Sequence, residues 1–200
     1  VGRGGVVNVR GLRGPEGTKQ AFAANRTARA TAGLPPSTTD TFGYAALVAV
    51  GDTDEEGMQL GDKLLWFLNT SMKSAPQFGK FLAGTIPPEA APAVYRTKPR
   101  APANPKPGYV APSSANAASL IGITAAQAMQ RGILFAGNPE SVYQQIMKFY
   151  DTVGGFGHLI MIGRSGFMTH EETVKSINLF AKHVSPRLKD IGPVIAGLGQ

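Results

Sequence analysis

The sequence predicts an α/β chain built on parallel strands, as a sheet or barrel needs, and three observations carry that expectation. Between Gly132 and Leu188, two strand-then-helix units follow each other without interruption. The apolar run His158–Ile162 shows no polar alternation after its first residue, so both of its faces are expected to be covered, as in parallel strands flanked by helices. Both helices carry start signals of known mechanism, which fixes where strand gives way to helix.

Taken in chain order, residues 1–16 are Gly- and Arg-rich around Val6-Val-Asn-Val9, and read as a terminal loop or remnant strand. They lack the Gly-Lys-Ser/Thr of a phosphate loop and the spacing of a dinucleotide fingerprint. An Ala/Arg helix is predicted over 18–32, stopped by Gly33 and Pro35. Tyr44–Val50 is the next strand. Thr53 and Glu56 have the spacing of a capping box for a helix carrying Met58, Leu64, Leu65 and Leu68. Trp66 and Phe67 are expected to pack. From Asn69 to Ile123 periodicity is lost, and eight prolines from Pro87 to Pro112 forbid long helices and central strands. Residues 70–123 are therefore predicted to be a long lid-like or disordered loop within one domain spanning 1–200.

Thr124 with Gln127 caps a short helix into Arg131, and Ile133–Ala136 is a strand ending at Gly137. Asn138 supplies an N-cap oxygen, Pro139 sits at the first helical position, and Glu140 complements the helix dipole. Val142, Ile146, Phe149, Tyr150 and Val153 gather on one helix face, and Gly154-Gly155 closes the segment. After His158–Ile162 comes the loop Gly163-Arg-Ser-Gly166. Thr169 and Glu172 form a second capping box, and Val174, Ile177, Phe180, Ala181 and Val184 continue an apolar face to a helix end near Pro186.

Composition narrows the function classes. Hydrophobic residues make up 42% of the 200, enough for a core, so disorder of the whole chain is not expected. The absence of cysteine removes disulfides, thiolate metal sites and cysteine nucleophiles, and favours a cytoplasmic address. No apolar run reaches the length of a spanning helix and no signal-peptide pattern opens the chain, so neither membrane insertion nor secretion is expected.

The net charge of +7 raises the question of nucleic acid. Within residues 1–29, six cations face only Glu16, and Arg96, Lys98, Arg100 and Lys106 add four more in the Pro-rich stretch, which leaves the remainder net negative. That distribution favours solvated loops over a site for an anionic ligand, and both over a nucleic-acid surface.

Four stretches resemble the luciferase-like, flavin-dependent monooxygenase family in order and spacing: Val48-Ala-Val-Gly-Asp-Thr-Asp-Glu-Glu56, Ala136-Gly-Asn-Pro-Glu-Ser-Val142, Gly155-Phe-Gly-His-Leu-Ile-Met161 and Ser176-Ile-Asn-Leu-Phe-Ala-Lys-His-Val-Ser-Pro186. The resemblance spans roughly residues 20–190. It implies the last strand–helix units of a (β/α)8 TIM barrel that binds reduced FMN, or a deazaflavin, with no metal, and uses dioxygen on a small organic substrate. A complete barrel of this kind needs about 250 residues. This chain opens at Val1, and is expected to be a truncated copy beginning partway round the barrel. The units that hold the family's catalytic base and much of its flavin-phosphate site have no counterpart here, so no catalytic residue is carried over.

Barrel enzymes place functional groups at the carboxyl ends of strands. Those ends are Val50-Gly51, Ala136-Gly137 and Gly163-Arg164-Ser165. Gly163 and Arg164 are the candidates for cofactor binding, Arg164 as the one cation there, able to pair with an anionic flavin or hold a substrate oxygen; the plainer reading is a loop arginine. Phe135 and Ile162 are the candidates to line a substrate pocket, though inward-facing apolar residues are expected in any barrel. Asp52, Asp54, Glu55 and Glu56 are read as dipole-complementing first-turn carboxylates in preference to a metal or acid–base site.

His158, His170 and His183 lack zinc spacing, and His158, before a strand, is structural. Ser165 lacks a nucleophile elbow. Removal of half a barrel is expected to expose Leu47, Leu134 and Leu159. The functional alternatives are a non-catalytic flavin- or partner-binding barrel fragment, including a homo-oligomer, and, further off, a basic nucleic-acid-binding module.

Overall fold

Four parallel strands alternate with helices along the chain. The computed structural model describes residues 7–10, 14–66, 122–165 and 167–192. In order they form β1 (Val7–Arg10), α1 (Gly14–Thr31), a 3-10 turn at Thr39–Thr41, β2 (Phe42–Val50), and α2, helical over 54–66. There follow α3 (Ala125–Gln130), β3 (Leu134–Gly137), α4 (Pro139–Val153), β4 (His158–Ile162), α5 (His170–Leu179), a π-turn at Phe180–Val184, and α6 (Ser185–Lys189). The chain divides into two compact units, one of residues 1–67 with 124–200 and the other of 68–123. The Pro-rich loop expected over 70–123 falls outside the described residues apart from 122 and 123, as does Phe67.

β2 is the hub of the sheet. β1 pairs in parallel with Phe42–Ala45, β4 with Gly43–Leu47, and β3 with Leu47–Val50. This is the parallel α/β arrangement that the strand–helix units predict. The remnant-strand reading of Val6–Val9 corresponds to β1, and α1 begins four residues earlier than predicted. Pro15 and Glu16, both favoured in a first helical turn, lie within α1 and not in the preceding loop.

Even-numbered β2 residues face the helices. Phe42, Tyr44, Ala46, Val48 and Val50 join Phe22 of α1 and Val142, Ile146, Phe149 and Val153 of α4 in one core. The α4 residues are the face that the helical spacing predicts. Aromatic rings fill the layer: Tyr44 and Phe149 lie 4.3 Å apart by ring centroid, and Phe22 and Phe42 4.4 Å. Tyr44 is fully buried and donates its hydroxyl to the Gly132 carbonyl at 2.7 Å, and burial pushes its phenol pKa well up.

The caps follow the sequence closely. Thr124 with Gln127 and Thr169 with Glu172 make reciprocal capping boxes, and Asn138 accepts from the Ser141 N–H. Gly154 closes α4 at φ +82°, a conformation open to glycine without strain. The Thr53 cap differs in one arm. Its hydroxyl accepts from the Glu56 N–H, but the Glu56 carboxylate takes the Asp52 N–H instead of that of Thr53.

Three expectations are corrected. β4 is not covered on both faces: Leu159 and Met161 pack on the core, whereas His158, Ile160 and Ile162 are exposed. The reason is layering, since the core that Leu159 and Met161 join lies against only one face of the strand. Leu47 and Leu134 are not exposed but buried, and Leu159 is partly so. The methyls of Leu134 lie against Gly61 of α2, so this helix shields the β3 end of the face expected to be bare. Finally, Pro186 does not end the last helix. Because Pro186 has no N–H and its ring would crowd the carbonyl four residues back, the helix widens into a π-turn, with Ser185 N–H bonded to Phe180 O, and restarts as α6 with proline in its first turn.

Candidate functional site

The carboxyl ends of β2 and β3 meet α2 with no room for side chains. A Cβ on Gly57 would stand 2.4 Å from the Gly137 carbonyl oxygen, and one on Gly51 would stand 2.5 Å from the Gly57 nitrogen. Three glycines thus let the first turn of α2 lie directly on the strand ends. Gly51 N–H donates to Gly137 O at 3.0 Å, and Asn138 N–H donates to the Asp54 carboxylate at 2.8 Å. That backbone bond, helped by the Ser141 hydroxyl, holds the Asp54 carboxyl below the usual range.

The acidic cluster after β2 has structural partners. Lys175 of α5 reaches Asp52 and Glu56, both at 2.7 Å, while Lys63 of α2 pairs with Glu172. Lys175 is the main cause holding Glu56 low, with the Asp52 N–H adding to it, and Asp52 and Glu56 in turn push Lys175 up. These links fasten α2 to α5, and among the described residues no group of three or more acidic, histidine or cysteine side chains could hold a metal. Beneath them, fully buried Ser176 accepts the Val50 N–H at 2.8 Å, which joins α5 to the end of β2.

The loop after β4 brings Ile162, Gly163, Arg164 and Ser165 together. Arg164 is exposed and, among the described residues, makes no ion pair. Ser165 Oγ is sealed from solvent and, among the described residues, has no hydrogen-bond partner, a state that costs a hydroxyl about 1–3 kcal/mol. In the sequence Ser165 reads as part of a strand-end loop without a nucleophile elbow; what sets it apart is its burial with no hydrogen-bond partner among the described residues, which no spacing rule reveals. A Cβ on Gly163 would meet Met161 Cε at 2.7 Å, so this glycine accommodates a neighbour's side chain and leaves no open cradle.

Phe135 is not part of this group. It is buried on the helix-facing side of the sheet, edge-on to Phe149 with ring centroids 5.8 Å apart, whereas Ile162 points to the opposite face. Parity explains the separation: Phe135 is in register with Val48 and Ile162 with Leu47, adjacent residues whose side chains leave opposite faces of β2.

The apolar surface near the loop is extended by Phe167, 67% exposed, whose ring meets Trp66 edge-on at 5.1 Å. At the other end of the strands, His158 Nε2 lies 3.1 Å from the Asp40 carbonyl oxygen, a structural contact. A cavity of about 380 Å³ opens there as well, between α4, the start of β4 and α6, away from Arg164.

Solved structures share this arrangement. Monooxygenase RslO1 from Streptomyces bottropensis is 16% identical, superposes with a TM-score of 0.51, and covers 92% of this chain and 42% of its own. A type II Baeyer–Villiger monooxygenase, the oxygenating constituent of 3,6-diketocamphane monooxygenase from the CAM plasmid of Pseudomonas putida, in complex with FMN, is 16% identical with a TM-score of 0.55 over 91% of this chain and 48% of its own. This chain has the fold of part of these monooxygenases. The resemblance read from the four sequence stretches is thereby borne out at the level of fold, over a chain that spans less than half the length of either structure. No protein-family model matches the sequence, and no curated protein matches it. No described helix is long and apolar enough to cross a membrane.

Proposed function

We propose that this chain is the C-terminal part of a luciferase-like flavin-dependent monooxygenase, whose complete form is a (β/α)8 barrel that oxidises a small organic substrate with reduced flavin and dioxygen. The observation that carries the reading is the fold shared with an FMN-complexed Baeyer–Villiger monooxygenase over 91% of the chain. FMN is the first choice of cofactor on that likeness and a deazaflavin the second.

The residues present fit one part of such a cofactor. A buried hydroxyl at Ser165 and an exposed guanidinium at Arg164, with no hydrogen-bond partner and no ion pair respectively among the described residues, are a donor set suited to an anionic phosphoryl group. In this reading Arg164 and Ser165 hold the flavin phosphate, while Gly163 makes room for the Met161 side chain beside the loop. Ile160 and Ile162 supply apolar lining on that face of β4, to be covered in the complete barrel. The flavin, when bound, supplies the oxygen chemistry, and the protein's part is to bind, orient and keep dry.

The test is reduced-FMN binding and turnover by the 200-residue chain and by a longer reading frame that includes the sequence encoded before Val1. Weak or absent binding by the short chain, restored with turnover in the longer one, is the expected result. Robust turnover by the 200 residues alone would sink the proposal that they are one part of the enzyme.

A second reading, a non-catalytic partner-binding module, is favoured by the exposed Ile160 and Ile162 on β4, which among the described strands pairs only with β2. Stable complex formation without turnover in either length would select it.

A further inference from the structure

We propose a second binding site, for a small zwitterion with an apolar or aromatic body, in the cavity at the amino ends of the strands. The cavity, about 380 Å³, is within the size range of small-molecule sites and lies opposite the strand ends where the flavin reading places its chemistry. Its apolar wall comes from Ile146 of α4, Phe156 and Leu159 around the start of β4, and Phe180 of the π-turn. Two oppositely charged side chains, Asp40 and Lys189, complete the lining.

The charges give the ligand its class. Among the described residues neither Asp40 nor Lys189 is in an ion pair, with the other or with any third group, although neighbouring charges are paired: Arg187, two residues from Lys189, is bound to Glu140 and stacked over Tyr143. A ligand with a cationic and an anionic group gives each of them a partner, while an apolar body removes the exposed parts of the wall from water. A simple anion meets Lys189 but also the Asp40 carboxylate, and a simple cation has the converse conflict. The π-turn is the fold's contribution to the site. It carries Phe180 and leads into Ser185, and it exists because Pro186 interrupts regular helical bonding. This site does not depend on the flavin reading.

The experiment titrates the full chain with L-phenylalanine, and in parallel with 3-phenylpropanoate and phenethylamine, following amide shifts by NMR and heat by calorimetry. The expected result is saturable L-phenylalanine binding that shifts the Gly157 and Gly192 amides and leaves that of Gly163 in place. The two single-charge analogues bind more weakly. Lys189→Gln and Asp40→Asn, both changes at groups with no ion pair to lose, each weaken L-phenylalanine binding about fivefold with the circular dichroism unchanged. The proposal is overturned if no saturable binding occurs, if the shifts gather at Gly163, or if both variants bind as the parent does. Should a variant fail to fold, the shift map and the ranking of the three probes on the parent chain still decide.

Discussion

At Gly57, helix propensity and packing give opposite signs. Inside a helix, Gly→Ala is favourable by about 1 kcal/mol on propensity alone. Here the new methyl would fall 2.4–2.5 Å from three backbone atoms of Gly137, none of which can rotate away. Overpacking of this kind costs about 1–3 kcal/mol or more, so Gly57→Ala is expected to be destabilising overall, lowering the urea midpoint without a change in slope. Ser176 gives a second residue-scale prediction. Ser176→Ala removes the acceptor of the buried Val50 N–H and leaves that donor unsatisfied, at a cost of about 1–3 kcal/mol in the same measurement. Neither role is legible in the sequence, because both depend on what lies opposite the residue in space: the Gly137 backbone for Gly57 and the Val50 N–H for Ser176.

At the scale of elements, local chemistry is the most legible. Asn138-Pro139-Glu140 and Thr169 with Glu172 specify where α4 and α5 begin because their cap bonds are made within four residues, and His158–Ile162 is the observed β4. The rest is set by tertiary position: whether both faces of β4 are covered, which face of the sheet Phe135 takes, and how the chain passes Pro186. The joint between α2 and α5 is also tertiary, and it makes a pH prediction. Lys175 lowers Glu56 and Lys63 lowers Glu172, each from an ordinary value of 4.5. A carboxyl depressed in the folded state binds protons more readily when unfolded. Its stabilising contribution is therefore complete above pH 4.5 and is lost as pH falls through the lower folded value. Urea midpoints measured against pH are expected to fall below pH 4.5, and the fall is expected to be shallower in Lys63→Gln and Lys175→Gln, whose carboxyls have lost their main partners.

For the whole molecule, the free side of the sheet decides behaviour in solution. β4 offers one unpaired edge among the described strands, and its uncovered face carries His158 with two apolar side chains, Ile160, 43% exposed, and Ile162, 38% exposed. An apolar edge strand with no charge, proline or bulge to blunt it is a template for strand addition by another chain. Natural edges are commonly protected by an inward-facing lysine, and none stands on this face. The 200-residue chain is therefore expected to self-associate as its concentration rises, with a sedimentation coefficient that increases across the micromolar range. Ile160→Lys with Ile162→Lys should abolish that rise, because like charges on two apposed edges repel. Thermal stability should change little, since both side chains lie outside the core that Leu159 and Met161 join from the other face. The same double change placed at Leu159 and Met161 would instead drive charges into the packed layer and unfold the chain. A substitution pair that removes association from the outer face, and structure from the inner one, separates the apolar surface that β4 leaves open from the part that holds the sheet to its helices.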